Sequence, residues 1–233
     1  MLNTLHEVLI FLEDQGRVSL PAFKDWKSRQ VRGALGRIER EHWVKKEKKD
    51  GLIWYELSSL GQQQIDRMLS YLRTYDTPWD GVWRLVMFDI PEKERDLRDK
   101  FRRGLMGLNL QNLQGSVWVA SKDIRKEVKA LAQEVGVSSE RLNIFTARAE
   151  SDRNVAAAWD LRELNKDYER FTAKVKELLK NRRSVTSYAV KKIIFDYALL
   201  RRRDPSLPDH LLPANWAGKD AHDAYQRLRK EIR

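Results

Sequence analysis

The sequence contains no cysteine, which excludes disulfides, thiolate metal centres and cysteine nucleophiles. It has no apolar run near the ~20 residues that a membrane-spanning helix needs, so no membrane partner is expected. Its four histidines, His6, His42, His210 and His222, are scattered. A glycine-rich phosphate loop, a G-x-S-x-G elbow and an H-E-x-x-H pair are all missing. No internal repeat and no low-complexity tract occurs. Residues 1–15 carry Glu7, Glu13 and Asp14 and lack the basic start and small-residue cleavage site of a signal peptide, so a cytoplasmic location is expected. With these elements missing, no cofactor, resident metal or enzymatic activity is expected. What the chain has in quantity is aromatic residues and charge. Eight Trp, seven Tyr and seven Phe in 233 residues argue against bulk disorder. A mean hydropathy of −0.65 disfavours one deep core and suits two or three small domains.

The net charge is +11, and it is unevenly placed. The first 75 residues carry +3, residues 76–150 carry +1, and residues 151–233 carry +7. Within the first segment, residues 17–49 hold 11 basic and 4 acidic side chains. Concentrated positive charge of this kind suits a polyanion.

The periodicity implies three regions and an α+β fold. Residues 1–75 read as helix, helix, helix, hairpin, helix. Leu2, Leu5, Leu9 and Leu12 recur at helical spacing, and Gly16 closes that helix. Ser19 is the expected N-cap of a short second helix running to Trp26, and Ser28 that of a third running from Arg29 to His42. Asp50-Gly51 between β-prone runs signals a hairpin. A linker is expected over residues 74–78. Residues 79–150 then alternate as β-α-β-β-α-β, the order of a ferredoxin-like domain. Residues 154–233 read as a helical C-terminal domain. A long amphipathic helix starts at Trp159, a second spans Tyr188 to Leu200, and a last one begins near Gly218. Asp204-Pro205 and Leu207-Pro208 interrupt the pattern.

The third helix has two opposed faces. At about 100° per residue, Val31, Leu35, Ile38 and His42 form a narrow stripe expected to be buried, with His42 a packed core residue. Arg29, Arg32, Gly33, Gly36, Arg37 and Arg40 share the opposite face, and Gln30 flanks it. Guanidinium forks suit phosphates and guanine edges, and a glutamine amide suits adenine. Glycine costs a helix about 1 kcal/mol against alanine, but on this face it lets the backbone approach a duplex closely. Lys45, Lys46, Lys48 and Lys49 sit at or beside the hairpin tip, where they can neutralise phosphates. The pattern is that of a winged helix-turn-helix bound to double-stranded DNA, with these eleven residues as its contact set.

The chain as a whole resembles the PaaX family of bacterial transcriptional repressors. The residues that carry the resemblance are the winged helix, then Trp83 to Pro91 with Arg95, Leu97, Arg98, Phe101, Arg102 and Leu105, the run Gly115 to Val119, and Asp204 to Pro208 with Leu211 to Pro213, Trp216, Gly218 and Ala221. The central block also resembles the ferredoxin-like small subunit of CRISPR spacer acquisition. The resemblance implies a homodimeric repressor, in a family whose best-known members answer to aryl-CoA thioesters. An acyl-CoA-type effector is therefore expected outside the winged helix. Arg182, Arg183 and Arg201 to Arg203 are candidates for its phosphates, or else solvated helix ends. Tyr188 and Trp216 are candidates for lining an apolar pocket. The alternative is a metal-dependent nuclease or CRISPR-adaptation-like protein. Asp89, at the end of the first central strand, matches an aspartate assigned to metal in the CRISPR subunits. Its simpler role is to cap the helix at Glu92 or to satisfy a turn before Pro91.

Overall fold

The structure is a computed structural model that describes residues 2–74, 79–181 and 185–231. Most of the expected linker, together with Arg182 and Arg183, lies outside the described residues. The chain divides into two compact units. One comprises Met1–Tyr75, Lys166–Arg201 and Ala217–Arg233, and the other Asp76–Asn165 and Arg202–Trp216. The residues after 154 are thus shared between the two.

In the first unit, α1 spans Thr4–Gln15. The Asn3 side chain accepts from the His6 N–H, and Gly16 ends the helix at φ 73° with its N–H on the Leu12 carbonyl. A three-residue strand, β1 (Arg17–Ser19), follows. The expected second helix is only a 3-10 turn, Leu20–Phe23, and Ser19 makes no side-chain cap bond to it. Helix α2 spans Ser28–Arg40, with Lys27 rather than Ser28 at its N-cap. Strands β2 (Val44–Lys49) and β3 (Leu52–Leu57) pair in register around Asp50 and Gly51. Both turn residues have positive φ, 51° and 75°, the requirement of a type I′ hairpin turn. The three strands form an antiparallel sheet in the order β1-β3-β2. Helix α3 (Ser59–Ser70) closes the segment, capped by the Ser58 hydroxyl on the Gly61 N–H. Val8, Leu9, Ile10, Leu12, Val31, Leu35 and Ile38 make the common core.

In the second unit, four strands alternate with two helices. These are β4 (Trp83–Phe88), α4 (Arg95–Gly107), β5 (Gln111–Gln114), β6 (Val117–Ala120), α5 (Arg125–Val135) and β7 (Leu142–Ala147). The antiparallel sheet order is β5-β6-β4-β7, the ferredoxin-like topology that the order of elements predicts. One face of the sheet presents Val86, Phe88, Trp118 and Ala120 to Phe101, Leu105, Val128 and Ala132 of the helices. Gly104 lets α4 approach α5, because a Cβ there would lie within 3.0 Å of the Leu131 side chain. Arg84 is buried and pairs with Asp80. Its guanidinium, hydrogen-bonded to that carboxylate, holds Asp80 below the ordinary carboxylate range.

After the short helix α6 (Asp152–Ala156), the long helix α7 runs over Arg162–Lys180. Trp159 therefore precedes the helix it was expected to start. It stacks on Trp83 instead, with ring centroids 5.9 Å apart, because Asp160 accepts from the Arg162 N–H and opens the helix there. Helices α8 (Ser187–Arg203) and α9 (Gly218–Glu231) complete the chain. Between them, buried Asp204 accepts from the Ser206 N–H at 2.6 Å, and Ser206 adopts φ 54°. The Ser121 hydroxyl donates to the Pro205 carbonyl. These bonds account for the Asp-Pro-Ser-Leu-Pro break. No helix among the described residues is long and apolar enough to cross a membrane.

Candidate nucleic-acid interface

Helix α2 owes its two faces to its sequence period. Val31, Ala34, Leu35 and Ile38 are buried, while Arg29, Gln30, Arg32, Gly33, Gly36, Arg37 and Arg40 are all exposed. A Cβ on Gly33 or Gly36 would meet nothing within 4 Å. Packing therefore gives no reason for either glycine. Alanine at both positions is expected to stabilise the fold by about 1 kcal/mol per site and to weaken duplex binding. Paired denaturant melts and DNA titrations of the double variant check both signs.

The helix ends at Arg40, two residues before the expected limit. The Trp43 N–H bonds the Ile38 carbonyl at 2.9 Å and the His42 N–H bonds the Glu39 carbonyl at 3.0 Å. This is a Schellman closure, and it puts His42 in the left-handed region at φ 56°. His42 is consequently exposed, not the buried core residue that the helical stripe implied. Its carbonyl accepts from the Ser58 hydroxyl at 2.6 Å, which ties the end of α2 to the start of α3.

The wing lysines are all exposed, but the register separates them. Lys46 and Lys48 lie opposite Tyr55 and Ile53, whereas Lys45 and Lys49 lie opposite Glu56 and Leu52, on the other face of the pleat. Lys46 is engaged within the fold, 3.0 Å from Glu39 of α2 and over the Tyr55 ring. Tyr55 donates to the same Glu39 at 3.0 Å. Burial and that carboxylate push its phenol up to about 12, so it stays a donor. Lys45, Lys48 and Lys49 are left to face solvent.

Two arginines of α2 fold back along their own helix. Arg32 Nε donates to the Ser28 carbonyl and Arg40 Nε to the Gly36 carbonyl. Gln30, on the flank, accepts from the Thr4 hydroxyl of α1. The structure adds two cations that periodicity passed over. Lys27 stands at the helix N-cap, outside the range tested for helical angle. Arg17, on β1, lies over the Trp54 ring at 5.3 Å and pairs with Glu47. Neither had a signal beyond the local charge.

The other candidates fare differently. Arg201 is buried, with its guanidinium 3.4 Å from the Tyr168 hydroxyl, so it is neither a solvated helix end nor an exposed phosphate ligand. The inward face of α8 includes position 201, and Arg202 and Arg203 remain exposed. Tyr188 packs its ring on Phe11 and Trp26 in the winged-helix core. Trp216 is half-buried. Asp89 is exposed, and its backbone N–H bonds the Arg141 carbonyl at 3.0 Å. The Glu92–Glu94 turn has Pro91 at its N-cap and no side-chain cap, so Asp89 does not cap it. Among the described residues no group of three or more His, Asp or Glu could hold a metal ion.

Comparison with known proteins agrees with this architecture. The family model "PaaX protein central Cas2-like domain" matches residues 76–159, and "PaaX-like protein C-terminal domain" matches residues 159–233. The chain belongs to the PaaX family. Among its curated relatives is "Transcriptional repressor PaaX" of Escherichia coli K12, 28% identical over 219 residues, which span 86% of this chain and 69% of that protein. Among solved structures, the uncharacterized protein Rv0674 of Mycobacterium tuberculosis shares the fold with a TM-score of 0.54 and 21% identity, over 88% of this chain and 83% of that one. The two family models match the chain from residue 76 onward.

Proposed function

We propose that the protein is a DNA-binding transcriptional repressor, a cytoplasmic regulator and not an enzyme. The observation that carries this reading is the exposed arginine–glycine face of α2 beside the lysine wing. The Escherichia coli relative, named as a transcriptional repressor, supports it. Helix α2 enters the major groove, where Arg29, Arg32, Arg37 and Arg40 reach base edges and phosphates and Gln30 flanks them. Gly33 and Gly36 give the backbone its clearance, and Lys45, Lys46, Lys48 and Lys49 meet the adjoining phosphates. The domain plan is a winged helix over 1–75, the ferredoxin-like domain over 79–150 and helical C-terminal residues over 154–233. A genome-wide binding map followed by titration of the recovered site tests the reading. A chain that binds all duplexes alike is not this repressor.

The working form is a homodimer reading two half-sites about 34 Å apart, or a multiple of that spacing. One winged helix covers only a few base pairs, so a two-fold pair supplies the affinity an operator needs. Light scattering at micromolar concentration is expected to give twice the 27.5 kDa chain mass. A monomer there, with one chain per operator, would remove the two-fold arrangement.

Release of the operator is assigned to an anionic small molecule of the acyl-CoA type, bound outside the winged helix. The family resemblance and the +7 charge of residues 151–233 support this. So does a cavity of about 680 Å³ in the ferredoxin-like domain, whose lining includes Val137, Leu142, Ile144, Arg125 and Lys129. A hundredfold drop in operator affinity corresponds to about 2.7 kcal/mol of coupling, which must appear reciprocally in ligand affinity. Calorimetry with acyl-CoAs, with and without operator, is expected to show tighter binding to the DNA-free protein. Absence of binding by every ester rejects the effector.

A further inference from the structure

The winged-helix core is not completed by the N-terminal residues alone. Phe195 of α8 is one of its buried members, and Tyr188 packs against it. The Tyr188 ring lies 5.2 Å from Phe11 and 6.1 Å from Trp26. Phe11 in turn meets Phe23 at 5.3 Å and Trp26 at 5.6 Å, and Phe23 meets Trp26 at 5.4 Å. Four rings from α1, the Leu20–Phe23 turn with its following residues, and α8 therefore form one cluster. Charge ties the same two helices together. The Lys191 ammonium sits 2.7 Å from Glu13 and 3.2 Å from Asp14. Lys192 pairs with Glu7, and the Ser187 hydroxyl donates to Asp14. The Leu2 N–H donates to Asp196 at 3.2 Å.

Trp26 gives this arrangement its consequence. It lies two residues before Ser28, where α2 begins, and so holds the chain at the N-terminal end of that helix. In a helix-turn-helix this end touches base edges. Flexible lysines on a wing follow a phosphate through a small displacement, whereas a bidentate fork on a base edge does not.

We infer that α8 is a positioning element for the recognition helix. Tyr188, acting through Trp26 and Phe11, and Lys191, acting through Glu13 and Asp14, hold the first turns of α2 in the attitude needed for base reading. The inference rests on α2 being the reader and adds how its alignment is controlled. A segment far along the sequence thereby governs sequence discrimination without touching DNA. Neither residue contacts the duplex, and both act through others.

The test uses the full chain with Tyr188→Ala, Tyr188→Phe and Lys191→Ala. Binding to the recovered operator and to a random duplex is measured by fluorescence anisotropy over a range of salt. Amide hydrogen exchange is followed by mass spectrometry without DNA. Tyr188→Ala is expected to lower the operator-to-random ratio about tenfold, with random-duplex affinity and salt slope unchanged. Its exchange is expected to quicken over residues 24–35 and not over the wing, residues 44–57. Tyr188→Phe is expected to behave as wild type, since the hydroxyl makes only a 3.4 Å bond to the Glu7 carbonyl. Lys191→Ala, which removes no ring from the core, is expected to shift the same segment by less. An equal loss on both duplexes, which leaves the operator-to-random ratio unchanged, overturns the positioning role. Unaltered exchange over 24–35 in both alanine variants overturns it too. A wild-type chain with no sequence preference rejects α2 as reader instead, an outcome distinct from either of these.

Discussion

Alanine at Arg32 or Arg37 is expected to weaken binding to the specific operator by about 1–3 kcal/mol and to relax base preference. Random-duplex affinity should change much less. Both side chains stand on the exposed face of α2, and each can present two parallel donors to a guanine edge. Lost donors leave base acceptors unpaired in a desolvated groove, which is why the penalty falls on the correct sequence. Lys48→Ala should behave in the opposite way. It lies near the tip of the hairpin on the pleat face shared with Ile53 and can meet only the sequence-independent backbone. It should weaken all duplexes alike and flatten the slope of log affinity against log salt by about one. Lys46, already neutralised in part by Glu39, should change that slope less. Titrations between about 50 and 200 mM salt on operator and random DNA separate these cases. Unchanged specificity after both arginine substitutions would show that α2 is not the reader.

Gly61→Ala is expected to destabilise the winged helix by about 3 kcal/mol. A Cβ on Gly61 would stand 2.0 Å from the Trp43 carbonyl oxygen and 3.1 Å from a methyl of Leu57. The first is backbone, held by the Schellman closure of α2 and by the Ser58 N–H that bonds the same oxygen at 3.0 Å. It cannot turn aside as a flexible side chain would. Alanine's intrinsic advantage in a helix, about 1 kcal/mol, is smaller than this overlap. Relief therefore requires α3 to move off the end of α2. Thermal unfolding followed by circular dichroism checks the outcome, with Gly33→Ala as the internal contrast that should raise the midpoint. An unaltered midpoint for Gly61→Ala would mean that the α2–α3 corner gives way cheaply.

For several elements the buried face was legible in the sequence. The stripe Val31, Leu35, Ile38 is buried, Asp50-Gly51 turns the hairpin, and the alternation after residue 79 makes the ferredoxin-like sheet. Such features follow from the period of 3.6 or 2 and from local turn chemistry, which act within a few residues. The exposed face of α2 was legible for the same reason, since an arginine–glycine face has no other element to pack on. Tertiary structure alone decided what the faces pack against. Strand β1 exists because Arg17–Ser19 pairs with β3; three residues have no pattern of their own. His42 turns outward because the helix closes two residues early, in a left-handed conformation that its side chain does not announce. Arg201 turns inward because α8 rotates that position toward Tyr168. Tyr188 belongs to the winged helix because packing joins residues far apart in the chain, a pairing that no local spacing encodes.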